Sequence, residues 1–488
     1  MKKLVKRLLI IFIGITMVAC RSSPDAKTER PNVLLILVDD FRPAIGAYGD
    51  SFAHTPAMDA FAKEAMLFEN AYTQQAVCAP SRNTLLTGMR PDGLGIYDLG
   101  TFFRTNAPNL VTLPQIFKNN GYVTAGMGKV YHTAHGNSND TLSWSIPHWT
   151  PDSIMAQRKP INNGDTVNLQ LDAARINGNR IPWYQYPSDL VHPDILVTEN
   201  ALDCIEKYKD QPFFLTVGLR KPHLPFNAPK KYWDIYDGEL IKIPDTSGIK
   251  DVPVYAPSSW GELRKYHKMP KSGPMPEEHT KPLIHGYYAC TSMIDDQIGR
   301  LLNGLKEQKL YNNTIVIIWG DHGYKLGEYG DWCKHSNFEI DTRVPLMVRV
   351  PGLSNGGSRT ESIVETVDIY PTLAEAAGIV LPDHLQGDSF LQTVSNPTID
   401  SQNVAFSQYR RTSDGRRLMG RSMRTREWRY TRWEDRDTGE LIDEELYDHR
   451  VSREEKVNLS NMEEFAEVKT QLRSYYLEAY PEAHLNSL

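Results

Sequence analysis

Cysteine is scarce: five occur in 488 residues, at positions 20, 78, 204, 290 and 333, and none belongs to a Cys-x-x-Cys pair. That spacing excludes a disulfide scaffold and a zinc ribbon. Basic residues are not in surplus either, because 54 Lys and Arg face 60 Asp and Glu for a formal charge of −6. A chain of that sign has no global attraction for nucleic acid or any other polyanion, so an anionic partner has to be met by a local basic pocket. Internal repeats and low-complexity runs are missing, which excludes repeat architectures. The apolar run Leu8 to Ala19 has 12 residues, too few to span a bilayer comfortably. What remains, 40% hydrophobic and 23% charged with 33 Gly and 31 Pro, is the composition of a globular α/β or mixed protein. Its length allows about two to four domains, or one large domain with an appendage.

Lys2, Lys3, Lys6 and Arg7 precede that apolar run, which ends Met17-Val18-Ala19-Cys20. This is the grammar of a secretory signal, and its end resembles a bacterial lipobox with a small residue before a lipidated cysteine. Residues 1–20 are therefore read as a lipoprotein signal peptide, with a plain signal peptide as the alternative, and 21–30 as a polar tether. The expected location is the periplasm or cell surface, anchored by lipid in a bacterial outer membrane. Loss of residues 1–19 moves the charge from −6 to −10.

Four short apolar runs carry the organisation. Asn32 to Val38 stops at Asp39-Asp40, and Tyr122 to Met127 runs into Gly128-Lys129 and His132. Phe213 to Leu219 runs into Arg220-Lys221-Pro222-His223, and Thr314 to Trp319 into Gly320-Asp321-His322. Helical patterns lie between them at Ala57 to Met66, Thr112 to Lys118, Asp194 to Tyr208 and His285 to Lys309. Alternation of this kind predicts a largely parallel sheet covered on both faces. Such a sheet gathers its active loops at the strand carboxyl ends, so four distant charged segments are expected to converge. After Pro371 the pattern changes to strands such as Val404 to Tyr409, an Arg- and aromatic-rich run from Arg421 to Trp433, and a helix over Glu463 to Ala479, predicting a smaller α+β domain. Residues 133–190 read as long irregular loops.

Adjacent carboxylates such as Asp39-Asp40 are, alone, well explained by helix capping or a solvated loop. Brought together with Asp321-His322 they make a concentrated anionic site that calls for a hard divalent cation. Histidine is unusual on calcium, so the pattern specifies the site and not the metal. A lone cysteine such as Cys78 is most often a small buried hydrophobe. Here it opens Cys78-x-Pro80-Ser81-Arg82, followed by Leu86-Thr87-Gly88, and the pattern resembles the signature of the type I sulfatases, in which this cysteine is oxidised to formylglycine. The likeness continues through Arg42-Pro43, Tyr48-Gly49-Asp50, Gly128-Lys129, Lys221-Pro222-His223, Asp321-His322-Gly323, Val367 to Thr372 and Glu445 to Asp448, and so covers about residues 31–488. Within the family it is strongest to the iduronate-2-sulfatase branch, through Gln75-Ala76-Val77, Gly330 to Phe338 and Ser407-Gln408-Tyr409.

That resemblance implies an alkaline-phosphatase-like α/β fold: a large mixed, mostly parallel sheet sandwiched by helices, with a smaller C-terminal α+β domain. The implied boundaries are 31–385 for the catalytic domain and 386–488 for the C-terminal subdomain. It implies hydrolysis of sulfate monoesters by a formylglycine hydrate at position 78, installed by a maturation enzyme. One hydroxyl attacks sulfur, and the other drives release of sulfate. Calcium or another divalent metal would sit on Asp39, Asp40, position 78, Asp321 and His322. Arg82 and Lys129 would stabilise the hydrate, Lys334 would contact sulfate, His132 would serve as base and His223 as acid. Arg104, Arg220, Trp332 and His335 are the candidate sugar contacts. The expected partner is a sulfated oligosaccharide such as one ending in 2-O-sulfated uronate, taken at one chain end, with no nucleic acid and no membrane contact beyond the lipid anchor. Algal ulvan or carrageenan is the alternative substrate. The rival readings are a phosphonate or phosphate ester hydrolase, and a glycan-binding lipoprotein without catalysis. The complete Cys78 motif and metal set count against the last.

Overall fold

Apolar runs without alternation become strands buried on both faces. The computed structural model describes residues 30–132, 139–151, 175–176, 179–186, 191–258, 261–354, 356–399 and 404–480. The expected signal peptide, and the tether up to residue 29, lie outside the described residues, as does most of the stretch read as irregular loops. The main sheet contains β1 (Asn32–Val38), β2 (Met66–Tyr72), β3 (Val123–Gly128), β4 (Phe213–Leu219), β5 (Thr314–Gly320), β6 (Arg343–Arg349) and β7 (Arg359–Glu365). Its seven strands run in the order β7-β2-β6-β5-β1-β4-β3. Strand β6 is antiparallel to both neighbours and every other pairing is parallel. The sheet is thus mixed and mostly parallel, as expected.

Every residue of β1 is buried, and the period of two sends them to different cores. Leu34, Ile36 and Val38 join a core with the helices Pro56–Ala62 (α1), Pro193–Lys207 (α4) and Glu277–Glu307 (α5). Val33, Leu35 and Leu37 join one with Cys78–Thr87 (α2), Leu113–Asn119 (α3) and Ile369–Ala376 (α6). The expected helix over 57–66 ends at Ala62, and Met66 already belongs to β2. The helix expected from His285 begins earlier, at Glu277, and runs through Pro282.

The C-terminal part is an antiparallel meander of β8 (Val404–Ser413), β9 (Arg416–Thr425), β10 (Trp428–Asp435) and β11 (Leu441–Asp448). Asp414 and Gly415 close its first hairpin with φ of 48° and 77°, the left-handed pair that a two-residue turn requires. Helix α7 (Ala466–Ala479) lays Leu472 and Tyr476 on Phe406, Met423, Tyr430 and Leu446. The described residues from Pro31 to Tyr480 form one compact unit.

Candidate active site

The carboxyl ends of β1, β3, β4 and β5 open onto one edge of the sheet. The ladder continues past β1, where Asp39 N–H donates to the Leu219 carbonyl and Asp321 N–H to the Val38 carbonyl, both at 3.1 Å. Asp40 then turns into the left-handed region, φ 54°, and its N–H donates to Asp321 Oδ1 at 2.9 Å. The Tyr287 hydroxyl of α5 fixes that turn by donating to the Asp40 carbonyl at 2.9 Å. Strands β3 and β4 separate so closely that a Cβ on Gly218 would lie 2.0 Å from the Lys129 carbonyl oxygen, so only glycine fits there.

Cys78 is the first residue of α2, with Val77 as an extended N-cap, and all ten residues of that helix are buried. Its Sγ lies 3.3 Å from His322 Nε2 and 3.9 Å from Asp40 Oδ1. One turn on, Arg82 spreads its guanidinium behind the acids: Nε donates to Asp321 at 2.9 Å, Nη2 to Asp39 at 3.2 Å and Nη1 to the Lys129 and Val130 carbonyls. Lys129 donates to Asp39 Oδ2. Lys334 donates to both Asp40 oxygens at 3.0 and 2.9 Å, and pairs with Glu262 at 2.8 Å.

Charge balance at this edge favours a further cation. Asp39, Asp40 and Asp321 are fully buried. Burial would raise Asp39, but Lys129 and Arg82 hold it well below the usual carboxylate range. Asp40 is pushed by burial up to about 6 in spite of Lys334, and burial raises Asp321 as well. His322 Nδ1 donates to the Gly323 carbonyl at 3.0 Å, which leaves the Nε2 lone pair facing Asp40 Oδ1 at 3.4 Å and Asp321 Oδ1 at 3.6 Å. A lone pair aimed at carboxylate oxygens is repulsive until a cation lies between them. Donor atoms of Asp39, Asp40, Cys78 and His223 lie within 4.8 Å of one another, as do those of Cys78, Asp321 and His322. This oxygen-rich donor set fits a hard divalent cation held by Asp39, Asp40, Asp321 and His322.

Above this cage opens a cavity of about 810 Å³ whose wall includes Cys78, Lys129, His132, His223, Lys334 and His335. His223 Nδ1 donates to the Leu224 carbonyl at 2.6 Å, and its Nε2 faces Glu262 at 3.3 Å and Asp40 at 4.0 Å. Burial, followed by the charge of Lys334, lowers His223 well below the ordinary histidine range. Burial pushes the Cys78 thiol well above its ordinary range, so the unmodified side chain is a poor nucleophile.

Of the sugar contacts expected, Arg220 and His335 line the cavity. Arg104 does not, because its guanidinium is consumed by Asp140, Gln115 and the Pro108 and Leu110 carbonyls. Trp332 is a correction of the same kind: it is 1% exposed and packs in the core beneath the site. Positive φ at Cys333 (68°) and His335 (90°) turns the chain so that Lys334 reaches Asp40 while Trp332 stays inside. Sequence reasoning missed Glu262, Arg180, Lys265 and Arg411, which also line the cavity. Glu262, Arg180 and Lys265 lie outside any regular pattern. Arg411 stands in β8, two residues beyond the Ser407-Gln408-Tyr409 likeness, and it fastens the loop at Tyr255 to Pro257 as well as His335.

A sulfatase family model matches residues 31–379, and a model of the C-terminal part of N-sulphoglucosamine sulphohydrolase matches residues 327–480. The iduronate 2-sulfatase of Mus musculus is 34% identical over 492 residues, covering 86% of this chain and 87% of the relative. A solved structure in complex with its substrate D-glucosamine-2-N,6-O-disulfate superposes with a TM-score of 0.73 at 23% identity, covering 92% of this chain and 97% of that one. The phosphonate monoester hydrolase of Agrobacterium radiobacter superposes with a TM-score of 0.74 at 19% identity, covering 92% and 95%. Those two likenesses are of fold, the alkaline-phosphatase-like sheet with its smaller C-terminal part. Because the matched family model runs through the main sheet and through the acids, the basic residues and Cys78 at its edge, the chain belongs to the sulfatase family and is a sulfatase.

Proposed function

We propose that this sulfatase removes sulfate from the terminal sugar of a sulfated oligosaccharide, with position 78 working as a formylglycine hydrate. The observation that carries the reading is the placement of Cys78. It is a buried residue with a suppressed thiol, 3.3 Å from His322, in the wall of a cavity with six cationic side chains: Lys129, Arg180, Arg220, Lys265, Lys334 and Arg411. A volume of about 810 Å³ suits one or two sugar rings and supports action at a chain end. The name of the 34% identical relative makes 2-O-sulfated iduronate the first candidate.

A hydrated formylglycine supplies a hydroxyl nucleophile and a route for sulfate release, and a divalent cation on Asp39, Asp40, Asp321 and His322 supplies acidity to that hydroxyl and neutralises sulfate oxygens. The chain's own residues do the rest. Arg82 locks Asp39 and Asp321 in place from behind. Lys129 and Lys334 present ammonium groups to the sulfate. His223, with Nδ1 held by the Leu224 carbonyl, faces Glu262 through Nε2 at 3.3 Å, and that carboxylate favours the doubly protonated ring, whose Nε2 proton the leaving sugar alkoxide takes. His132, on the same wall, takes the proton at position 78 when sulfate is released.

Sulfate release from defined sulfated oligosaccharides tests the reading, with conversion at position 78 verified by mass spectrometry. Release from a 2-O-sulfated uronate terminus, lost in Cys78→Ala, is expected. Converted protein that binds these sugars and frees no sulfate would overturn it in favour of a glycan-binding protein. Residues 1–20 extend the proposal to a lipid-anchored enzyme outside the cytoplasm. Cys20→Ala is then expected to leave the membrane fraction.

A further inference from the structure

Two walls of the cavity come from distant parts of the chain, one from the segment 254–258 with Glu262, the other from Lys334 and His335. The first wall hangs on the C-terminal part. Lys250 N–H donates to the Lys456 carbonyl at 2.9 Å, and the Lys250 carbonyl accepts Asn458 N–H at 3.0 Å. The Tyr255 hydroxyl donates to Asp443 of β11, and its ring meets Trp433 of β10 edge-on at 5.0 Å. Arg411 of β8 joins this wall to the second. Its Nε donates to the Tyr255 carbonyl at 2.6 Å, and its Nη2 to the Ala256 and Pro257 carbonyls at 3.2 and 3.3 Å and to the His335 carbonyl. The guanidinium is braced by the Tyr409 ring, whose centroid lies 4.1 Å away, and Tyr409 in turn meets His335 edge-on at 6.0 Å. A planar fork can span several fixed carbonyls at once, whereas a lysine ammonium is a point charge on a flexible stem. Lys334 has other support, because Asp40 and Glu262 hold its ammonium directly.

We infer that Arg411 is a positioning residue that sets the gap between these two walls, and so decides how tightly a sugar is gripped there. The ammonium of Lys334 and the cage of acids keep their places without it. The inference rests on the hydrolase reading above and names what in this chain fixes the fit of its sugar.

Sulfate release by converted wild type, Arg411→Lys and Asp443→Ala is measured on a disaccharide ending in 2-O-sulfated uronate and on 4-nitrophenyl sulfate, with Tm by calorimetry. Arg411→Lys keeps the charge and loses the fork. It is expected to raise KM for the disaccharide about 10-fold and to lower kcat much less, since the groups that act on sulfate stay in place. On 4-nitrophenyl sulfate, which offers no sugar for the walls to grip, its loss of kcat/KM is expected to be several-fold smaller. Asp443→Ala, at an exposed position outside the cavity, removes the acceptor of the Tyr255 hydroxyl and tests the same wall without touching the core. It is expected to raise the disaccharide KM about 2- to 5-fold with Tm nearly unmoved. A wild-type KM in both variants, or a parallel loss of kcat on both substrates with a lower Tm, overturns the positioning role and leaves the hydrolase standing. A wild type that frees sulfate from neither probe overturns the hydrolase reading and this inference with it.

Discussion

Glu262 is the acidic side chain on an otherwise basic cavity wall, among the described residues, and it touches Lys334 at 2.8 Å and His223 at 3.3 Å. It holds an acid and a sulfate-binding ammonium in register without itself reaching position 78, which makes it a positioning residue. Glu262→Ala is expected to lower kcat about 10- to 100-fold on sugar sulfates, whose alkoxide leaves with a proton, and much less on 4-nitrophenyl sulfate, whose phenolate does not need one. Equal losses on both would show that Glu262 supports the fold and not His223. Arg82 answers a different question, whether the cage can form at all. Its planar guanidinium meets two carboxylates and two carbonyls at once, a fan that a lysine ammonium cannot copy. Arg82→Lys keeps the charge but loses most of that fan of hydrogen bonds, and is therefore expected to cost about 1–3 kcal/mol through buried acceptors left unpaired. A clear drop in Tm measured by calorimetry checks it, and an unchanged Tm with lost activity would contradict it.

At the scale of elements, the C-terminal sheet contains a buried acid that sets a pH dependence. Glu445 in β11 accepts from Trp433 Nε1 of β10 at 2.5 Å and from the Tyr447 hydroxyl, and burial pushes it from 4.5 up to about 7. Because the folded value is raised, the stabilisation is complete below about 4.5 and is lost as pH rises through about 7. A shift of that size is worth ~3 kcal/mol between the two ends of the range. Urea unfolding of the wild type at pH 5 and pH 8 is expected to differ by more than that of Glu445→Gln, and parallel curves would sink the argument. Elements differed in how far their sequences announced them. β1, β4 and β5 are continuous apolar runs because both faces are covered, so their ends, and with them Asp39, Asp40, Asp321, His322 and His223, were readable. β2 was hidden because Glu69 and Asn70 interrupt its apolar run beside a helical pattern. Helix α2 carries no amphipathic period, since Ser81, Arg82, Asn83 and Thr84 are buried with its leucines. The motif located Cys78, but nothing local revealed a helix start there. Glu262, Arg180 and Lys265 reach the cavity by tertiary packing of segments too short for any periodicity to record, Arg180 in the two-residue strand Asn179–Arg180 and Lys265 in the turn Leu263–Lys265.

Across the whole molecule, the C-terminal sheet holds the catalytic edge in position. In β8, the Ser407 hydroxyl donates to the Thr73 carbonyl at 2.6 Å and Gln408 N–H to the Gln74 carbonyl at 2.8 Å, gripping the segment that leads into Cys78. A buried clasp fixes the two parts further on. Glu339, just before β6, accepts from Arg424 at 2.9 Å, Arg429 at 2.7 Å, Arg453 at 3.0 Å and the Tyr72 hydroxyl at 3.0 Å. Arg429 also meets Glu455 at 2.8 Å, and Glu455 in turn accepts the Glu339 N–H at 2.8 Å. The arginines hold Glu339 well below its usual range against the effect of burial, so the clasp is ionic at neutral pH. Removing its central charge leaves buried guanidinium groups without their full complement, a loss of about 3–5 kcal/mol. If the two parts unfold as one unit, Glu339→Gln lowers the Tm of a single calorimetric transition and leaves that transition undivided. The same variant is expected to lower kcat, because β8 and the Thr73 to Gln75 segment then share a looser frame around position 78. Two separate transitions, with the lower one alone displaced and kcat unchanged, would mean that the C-terminal sheet is an independent domain and that the grip on Cys78 is only a contact.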